Sequence, residues 1–455
     1  MSFQHIQTIN RDGNVSIDEF SINGKCIMTP SVFLGVRSNY SKRIDIDMNV
    51  AIKSIGYTSN MNSFSGIYFP LESWRNIHRR LSVEQRSFLM GPPFDEKYLL
   101  LPSVELLYYG LNKKIRNHLE LINRNYPNIV EYYNSYKTTL KGNRASTKSY
   151  HKWLPSLNTK LSDYIFDFLR FQYKQKCLFL IPPTPPIFDL NIGLNYAESV
   201  FQISKQFLSS VYVDEKNEFE EKEIEPISLF LPLSTLAFKK IGDVKIAIEK
   251  LKRMLNNLNP DIIILKFFDD SPYKPITKQN LKGIEYFSRC IVEYSKTNSK
   301  LSGVLDAKDI GKILLFKGIN FIGTPINRRA SLTRPGGRSG PPPSDEWPII
   351  DPSTREEITF SNYKKKYCSK PATGGISASL PYLNDLNSLY DRKSILNLSK
   401  MEQTEFTKLS PLILTANDVA ELKEAIISGT SRTIIGRFRA GTSSYALKIR
   451  ILLNE

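Results

Sequence analysis

The stretch from Lys300 to Arg329, KLSGVLDAKDIGKILLFKGINFIGTPINRR, constrains the fold more than any other part of the chain. SGVLDA is a short apolar run suited to a buried strand. From Lys308 to Phe316 the residues Ile310, Ile313, Leu314 and Leu315 recur at helical spacing. Lys317-Gly318 closes that helix, because glycine accepts the left-handed conformation beyond a helix C-terminus. INFIGTP reads as a second buried strand. Two buried strands joined through a helix form a βαβ unit, which requires a parallel sheet covered by helices. Sites in such sheets gather beyond the strand C-termini. That places Asp306 at one strand end and Thr324, Asn327, Arg328 and Arg329 at the other.

Similar short runs recur at Ser31–Val36, Gly66–Pro70, Tyr98–Pro102, Cys177–Pro182, Ser228–Pro232, Ile262–Phe268, Ser302–Asp306 and Asn320–Gly323. Between the later ones, Leu161–Lys176, Tyr196–Ser209, Val244–Leu255 and Leu281–Tyr294 carry apolar residues at three- and four-residue steps, as amphipathic helices do. Eight strands with intervening helices predict an α/β protein built on a (β/α)8 TIM-type barrel. An N-terminal hairpin turning at Asp12-Gly13-Asn14 precedes it. The same segment places oxygen-bearing residues nearly as an EF-hand loop does, but Thr8 stands where that loop needs Asp, and no room precedes it for a helix.

With 455 residues there is room for a barrel over 1–327, a basic Gly/Pro-rich linker or loop over 328–344, and a small C-terminal α+β domain over 345–455. In the last part ASLPYLNDLNSLY and NDVAELKEAI read as helices, and RTIIGRFRA and SSYALKIRILL as basic strands. Two insertions interrupt the barrel. Residues 132–161 hold Lys137, Lys141, Arg144, Lys148, Lys152 and Lys160 without one acid, interleaved with Tyr136, Tyr150 and Trp153; residues 214–225 are strongly acidic.

The net charge of +17 favours phosphate-rich partners through counterion release, so DNA or tRNA is the expected partner. The solvated face is the ordinary alternative for each basic run, since long Lys and Arg stems cover apolar surface. Cys26, Cys177, Cys290 and Cys368 are scattered, and no two of the four histidines stand at ligand spacing, which argues against a structural metal or a disulfide framework. No signal pattern and no run long enough to span a bilayer are present, so a cytoplasmic protein without a membrane partner is expected. No Walker loop, dinucleotide fingerprint or Ser-His-Asp set points to a nucleotide cofactor or a hydrolase.

Four segments together resemble the tRNA-guanine transglycosylases. GKCIMTPSVFLGV resembles the G-x-(I/V)-x-TP-x-F opening of the family's first barrel strand, and YLLLPSVELLYYGL its third-strand segment. CLFLIPPTPPIF with NYAESVFQISKQF is similar to the fourth strand and the helix behind it, and the Lys300–Arg329 stretch to the last βαβ with its Pro-Thr-Arg-like turn. The resemblance implies a barrel that exchanges guanine in nucleic acid for a 7-deazaguanine through a covalent Asp–ribose bond, a second Asp handling protons and another binding the base. Such chemistry needs carboxylates because C1′ becomes cation-like as the base departs. The family's carboxylates are missing. Pro102-Ser103 stands where Asp-Ser should, Pro182-Pro183 where Asp-Glu should, and Phe321 is followed by Ile322-Gly323-Thr324 where the nucleophilic Asp should come. The family's zinc set is absent as well, with Cys368 standing alone after the barrel.

The carboxylates left at strand ends are Asp306, Asp269 and Asp270, with Glu105 beside the third strand. Each has a local reading too: Asp306 as a helix cap, Asp269-Asp270-Ser271-Pro272 as turn chemistry. Arg328, Arg329, Arg334 and Arg338 follow the last strand and suit phosphate by bidentate contacts, with Lys141, Arg144, Lys148 and Lys152 as a second basic set. Three readings stay open. The chain is a non-catalytic transglycosylase-like barrel that binds nucleic acid or supports an active partner subunit, as a homo- or hetero-oligomer; or a working guanine base-exchange enzyme with relocated carboxylates; or a protein scaffold whose 25 Phe and 23 Tyr feed an interface.

Overall fold

The computed structural model of the protein describes residues 3–36, 44–58, 63–91, 94–104, 107, 113–140, 147–215, 226–268, 277–306, 309–326, 348–351, 357–368, 398–434 and 450–452. A hairpin comes first: β1 (Phe3–Asp12) and β2 (Val15–Ile22) pair antiparallel, and β3 (Lys25–Thr29) adds to β2. Asp12 faces Val15 across a two-residue loop whose first member, Gly13, has φ +62°, the sign that such hairpin turns need and glycine supplies.

Then come β4 (Ser31–Gly35), β5 (Phe64–Pro70), β6 (Tyr98–Leu101), β7 (Ser228–Ser234), β8 (Ile262–Phe268), β9 (Leu301–Leu305) and β10 (Phe321–Pro325). They form one seven-stranded sheet in the order β6-β5-β4-β10-β9-β8-β7, and every pairing in it is parallel. All seven residues of β8 are buried, Lys266 among them, as in a sheet covered on both faces. The βαβ unit read from Lys300–Arg329 is present, its helix spanning Asp309–Phe316 between β9 and β10.

The fourth predicted strand, Cys177–Pro182, is not a strand. Pro182, Pro183, Pro185 and Pro186 have no N–H to give a ladder, and the segment touches the sheet through two isolated bridges, Leu180 to Ile227 and Ile187 to Leu233. It nevertheless reaches both sheet edges. Leu178 donates its N–H to Tyr98 O of β6 (3.0 Å), while Ser234 of β7 donates to Ile187 O (2.9 Å). Gln172 completes the pairing from the helix Leu161–Lys174: its amide donates to Ile181 O and accepts from Ile181 N, both at 2.7 Å.

Near the C-terminus the helix Lys400–Ile427 opens with a capping box between Ser399 and Glu402. It is longer than the NDVAELKEAI segment predicts, and it lies on the helix Ile44–Thr58 and the hairpin. Lys408 pairs with Asp47, Asp418 with Lys312 (3.3 Å), and Ser63 Oγ donates to Ala416 O (2.9 Å). The start of RTIIGRFRA is helical at Ser431–Ile434 instead of extended, and both ASLPYLNDLNSLY and residues 435–449 lie outside the described residues. Among the described residues no helix is long and apolar enough to cross a membrane.

Candidate functional site

Paired residues of a parallel sheet share a face, so register alone collects Phe33, Gly35, Gly66, Tyr68, Ile264, Lys266, Gly303, Leu305, Phe321 and Gly323 on one side. Aromatic rings fill that side over glycines. Phe33 lies against Gly66, Phe321 against Gly303, and Tyr68 against both Gly35 and Gly323. The Phe33 and Phe321 rings stand 4.9 Å apart. A side chain at any of these four glycines would collide with a ring.

Lys266 is the one cation on this face of β8, and it is buried. Its Nζ lies 2.7 Å from Asp306 Oδ2, and the Tyr68 hydroxyl donates to Asp306 Oδ1 at 3.0 Å. The Lys266 and Asp306 side chains are 1% and 0% exposed, so water does not screen the pair. Asp306 adopts φ +54°, an uncommon conformation for a residue other than glycine, and such conformations cluster at functional sites. The helix behind it begins at Asp309, and the Asp306 carboxylate is turned to Lys266 and Tyr68.

A second buried carboxylate lies at the same end of the sheet. Glu72 follows β5 in a short turn, Leu71–Ser73, and is 1% exposed. Ser103, just past β6, donates its hydroxyl to Glu72 Oε1; the Tyr133 hydroxyl approaches Oε2 at 3.4 Å and accepts from Ser103 N at 3.1 Å. Two acids at strand ends are thus enclosed by hydroxyl donors from three elements. The rule that singles out Asp306, a polar residue just past a strand, also fits Glu72 in FPLES.

Of the predicted site residues, the structure places Asp306 and Lys152 with their side chains. Asp269, Asp270, Glu105, Arg328, Arg329, Arg334, Arg338, Lys141 and Arg144 lie outside the described residues. Lys148 falls on the helix Thr147–Trp153, its side chain outside the description, and Lys152 is exposed on the same helix. The aromatic residues interleaved with these lysines are not a stacking surface. Tyr136, Tyr150 and Trp153 are buried against one another with ring centroids 5.2–5.7 Å apart. Tyr132 and Tyr150 donate to the carbonyls of Pro183 and Pro186, both at 2.7 Å, which fixes the proline segment. Burial, aided by Tyr164, pushes the Tyr132 phenol well above its ordinary pKa, so it remains a donor. Neither a protein-family model nor a curated protein matches the chain.

Proposed function

We propose that the chain is a transglycosylase-like (β/α)8 barrel that has lost base exchange and binds nucleic acid, DNA or tRNA, alone or in support of an active partner of a 7-deazaguanine modification system. Closure of the barrel is supported by the 177–187 segment, which takes the eighth position through its bonds to β6 and β7. The observation that carries the loss of chemistry is the Tyr68 ring. Of Ile322, Gly323 and Thr324, Gly323 alone shares the ring-filled face, and a Cβ there would stand 2.9 Å from Tyr68 Cε1 and 2.6 Å from Leu305 Cδ2. The room for a nucleophilic carboxylate is occupied, and Asp306 nearby is engaged by Lys266 and Tyr68. Binding rests on the charge of +17.

One observation favours a working enzyme instead: the left-handed backbone of Asp306 at a strand C-terminus, with a lysine and a phenol on its carboxylate. Incubating the protein with DNA and with tRNA, while following labelled guanine and titrating salt, separates the two. Salt-dependent binding without exchange is expected. Exchange that Asp306→Asn abolishes would overturn the proposal in favour of relocated chemistry, and absence of both binding and exchange would point to a protein scaffold.

A further inference from the structure

A cleft opens at the opposite end of the sheet, where the hairpin lies against the residues that precede β9 and β10. Its walls are held in place. Lys296, in the last turn of the helix Lys278–Thr297, donates to Gly13 O at the hairpin turn (2.7 Å), and Gly318 (φ +109°) brings its backbone so close to Asn14 O that no side chain would fit. Arg11, Lys296 and Lys300 all border the cleft. Lys300 is matched by Asp261 at 2.6 Å. Arg11 and Lys296 have no carboxylate partner among the described residues. Asp18 is the one acid lining the cleft, and its oxygens are taken: Oδ1 accepts from Thr8 (2.6 Å) and Oδ2 from Ser16 (2.5 Å), with His5 Nε2 at 3.5 Å from Oδ1.

One further feature marks the cleft as built to receive something. The Ser295 hydroxyl borders it, 4% exposed and without a hydrogen-bond partner among the described residues. Ser299, also on its wall, adopts φ +54° because it closes the helix Lys278–Thr297, where Lys300 N–H bonds Ser295 O at 2.8 Å. Burial first, and then the Arg11 charge, hold the Lys296 ammonium below its ordinary pKa while Asp18 pulls the other way; a bound anion would relieve that strain on the charge. We propose that this cleft binds a phosphate-class oxyanion, Arg11 and Lys296 supplying its charged contacts and Ser295 and Ser299 its hydroxyl donors. Phosphate suits the set because it accepts several charge-assisted bonds at once.

Calorimetric titration of the full chain with inorganic phosphate, at constant ionic strength in chloride, tests the assignment. Saturable binding is expected, weakened at least about tenfold in R11Q/K296Q, since each charge-assisted bond carries roughly 1.5–3 kcal/mol. The single R11Q variant, altered at an exposed side chain, should weaken binding without touching the Lys296–Gly13 bond. Lys252→Gln, which disturbs an exposed pair with Glu249, should leave binding unchanged. Adenosine monophosphate binding more tightly than inorganic phosphate identifies a nucleotide as the source, and equal affinity identifies the free anion; either supports the cleft. No saturable binding, equal binding by R11Q/K296Q, or adenosine binding as well as its monophosphate overturns it.

Discussion

Lys266 and Asp306 have exchanged water for each other, and the consequence falls on whichever is left alone. Lys266→Met strands the Asp306 carboxylate in a dry interior and should cost about 3–5 kcal/mol in urea unfolding, whereas Lys266→Met/Asp306→Leu should recover most of the loss or exceed the parent. A single variant near neutral would mean that the pair is solvated. Tyr68→Phe removes one donor and should cost about 1–2 kcal/mol. At this scale the sequence was partly legible. Asp306 stands out because it follows a strand, and Lys266 because it interrupts an apolar run. That they meet, and that Tyr68 joins them from 238 residues away, depends on strand order and register, which no local pattern carries.

Seven of the eight runs are strands, and the clearest signals are local: IIILKFF is apolar but for Lys266, and SGVLD and NFIG flank a helix that glycine ends. The fourth run failed because its prolines follow an apolar start, and a side chain replaces the missing ladder. Gln172→Leu should therefore leave the Ile181 N–H and C=O unpaired and cost about 2–4 kcal/mol by denaturation. The helix Lys400–Ile427 contributes a pH signature through Lys423, whose pKa burial lowers from 10.5 to about 8. The folded value lies below the unfolded one, so between these values the unfolded chain binds more protons and stability rises with pH. Below about pH 8 both states are protonated and the cost is constant, of order 3 kcal/mol. Lys423→Met should raise stability at neutral pH by up to that amount and remove the rise in the alkaline window.

For the whole molecule the governing quantity is charge. If Arg328, Arg329, Arg334 and Arg338 each meet a phosphate, replacing all four with Ala should flatten the logarithmic salt slope of DNA binding by roughly 3–4, near 0.9 per contact. An unchanged slope would remove this stretch from the interface. The basic insertion divides differently, since its aromatic residues are buried in the protein's own core while Lys152 remains on the surface. Charge clustering was visible in the sequence; which aromatic rings were free to meet a base was not, because burial is decided by neighbours far along the chain.

The rings packed over glycine also bear on what the protein can become. An acid introduced at position 323 meets the Tyr68 ring and Leu305 together, so Gly323→Asp alone should destabilise by about 1–3 kcal/mol through overpacking. Tyr68→Ala clears the ring but removes the donor to Asp306. Neither change is useful without the other, so positions 68 and 323 are epistatic. From the present arrangement, a carboxylate at 323 lies across a valley that single substitutions do not bridge.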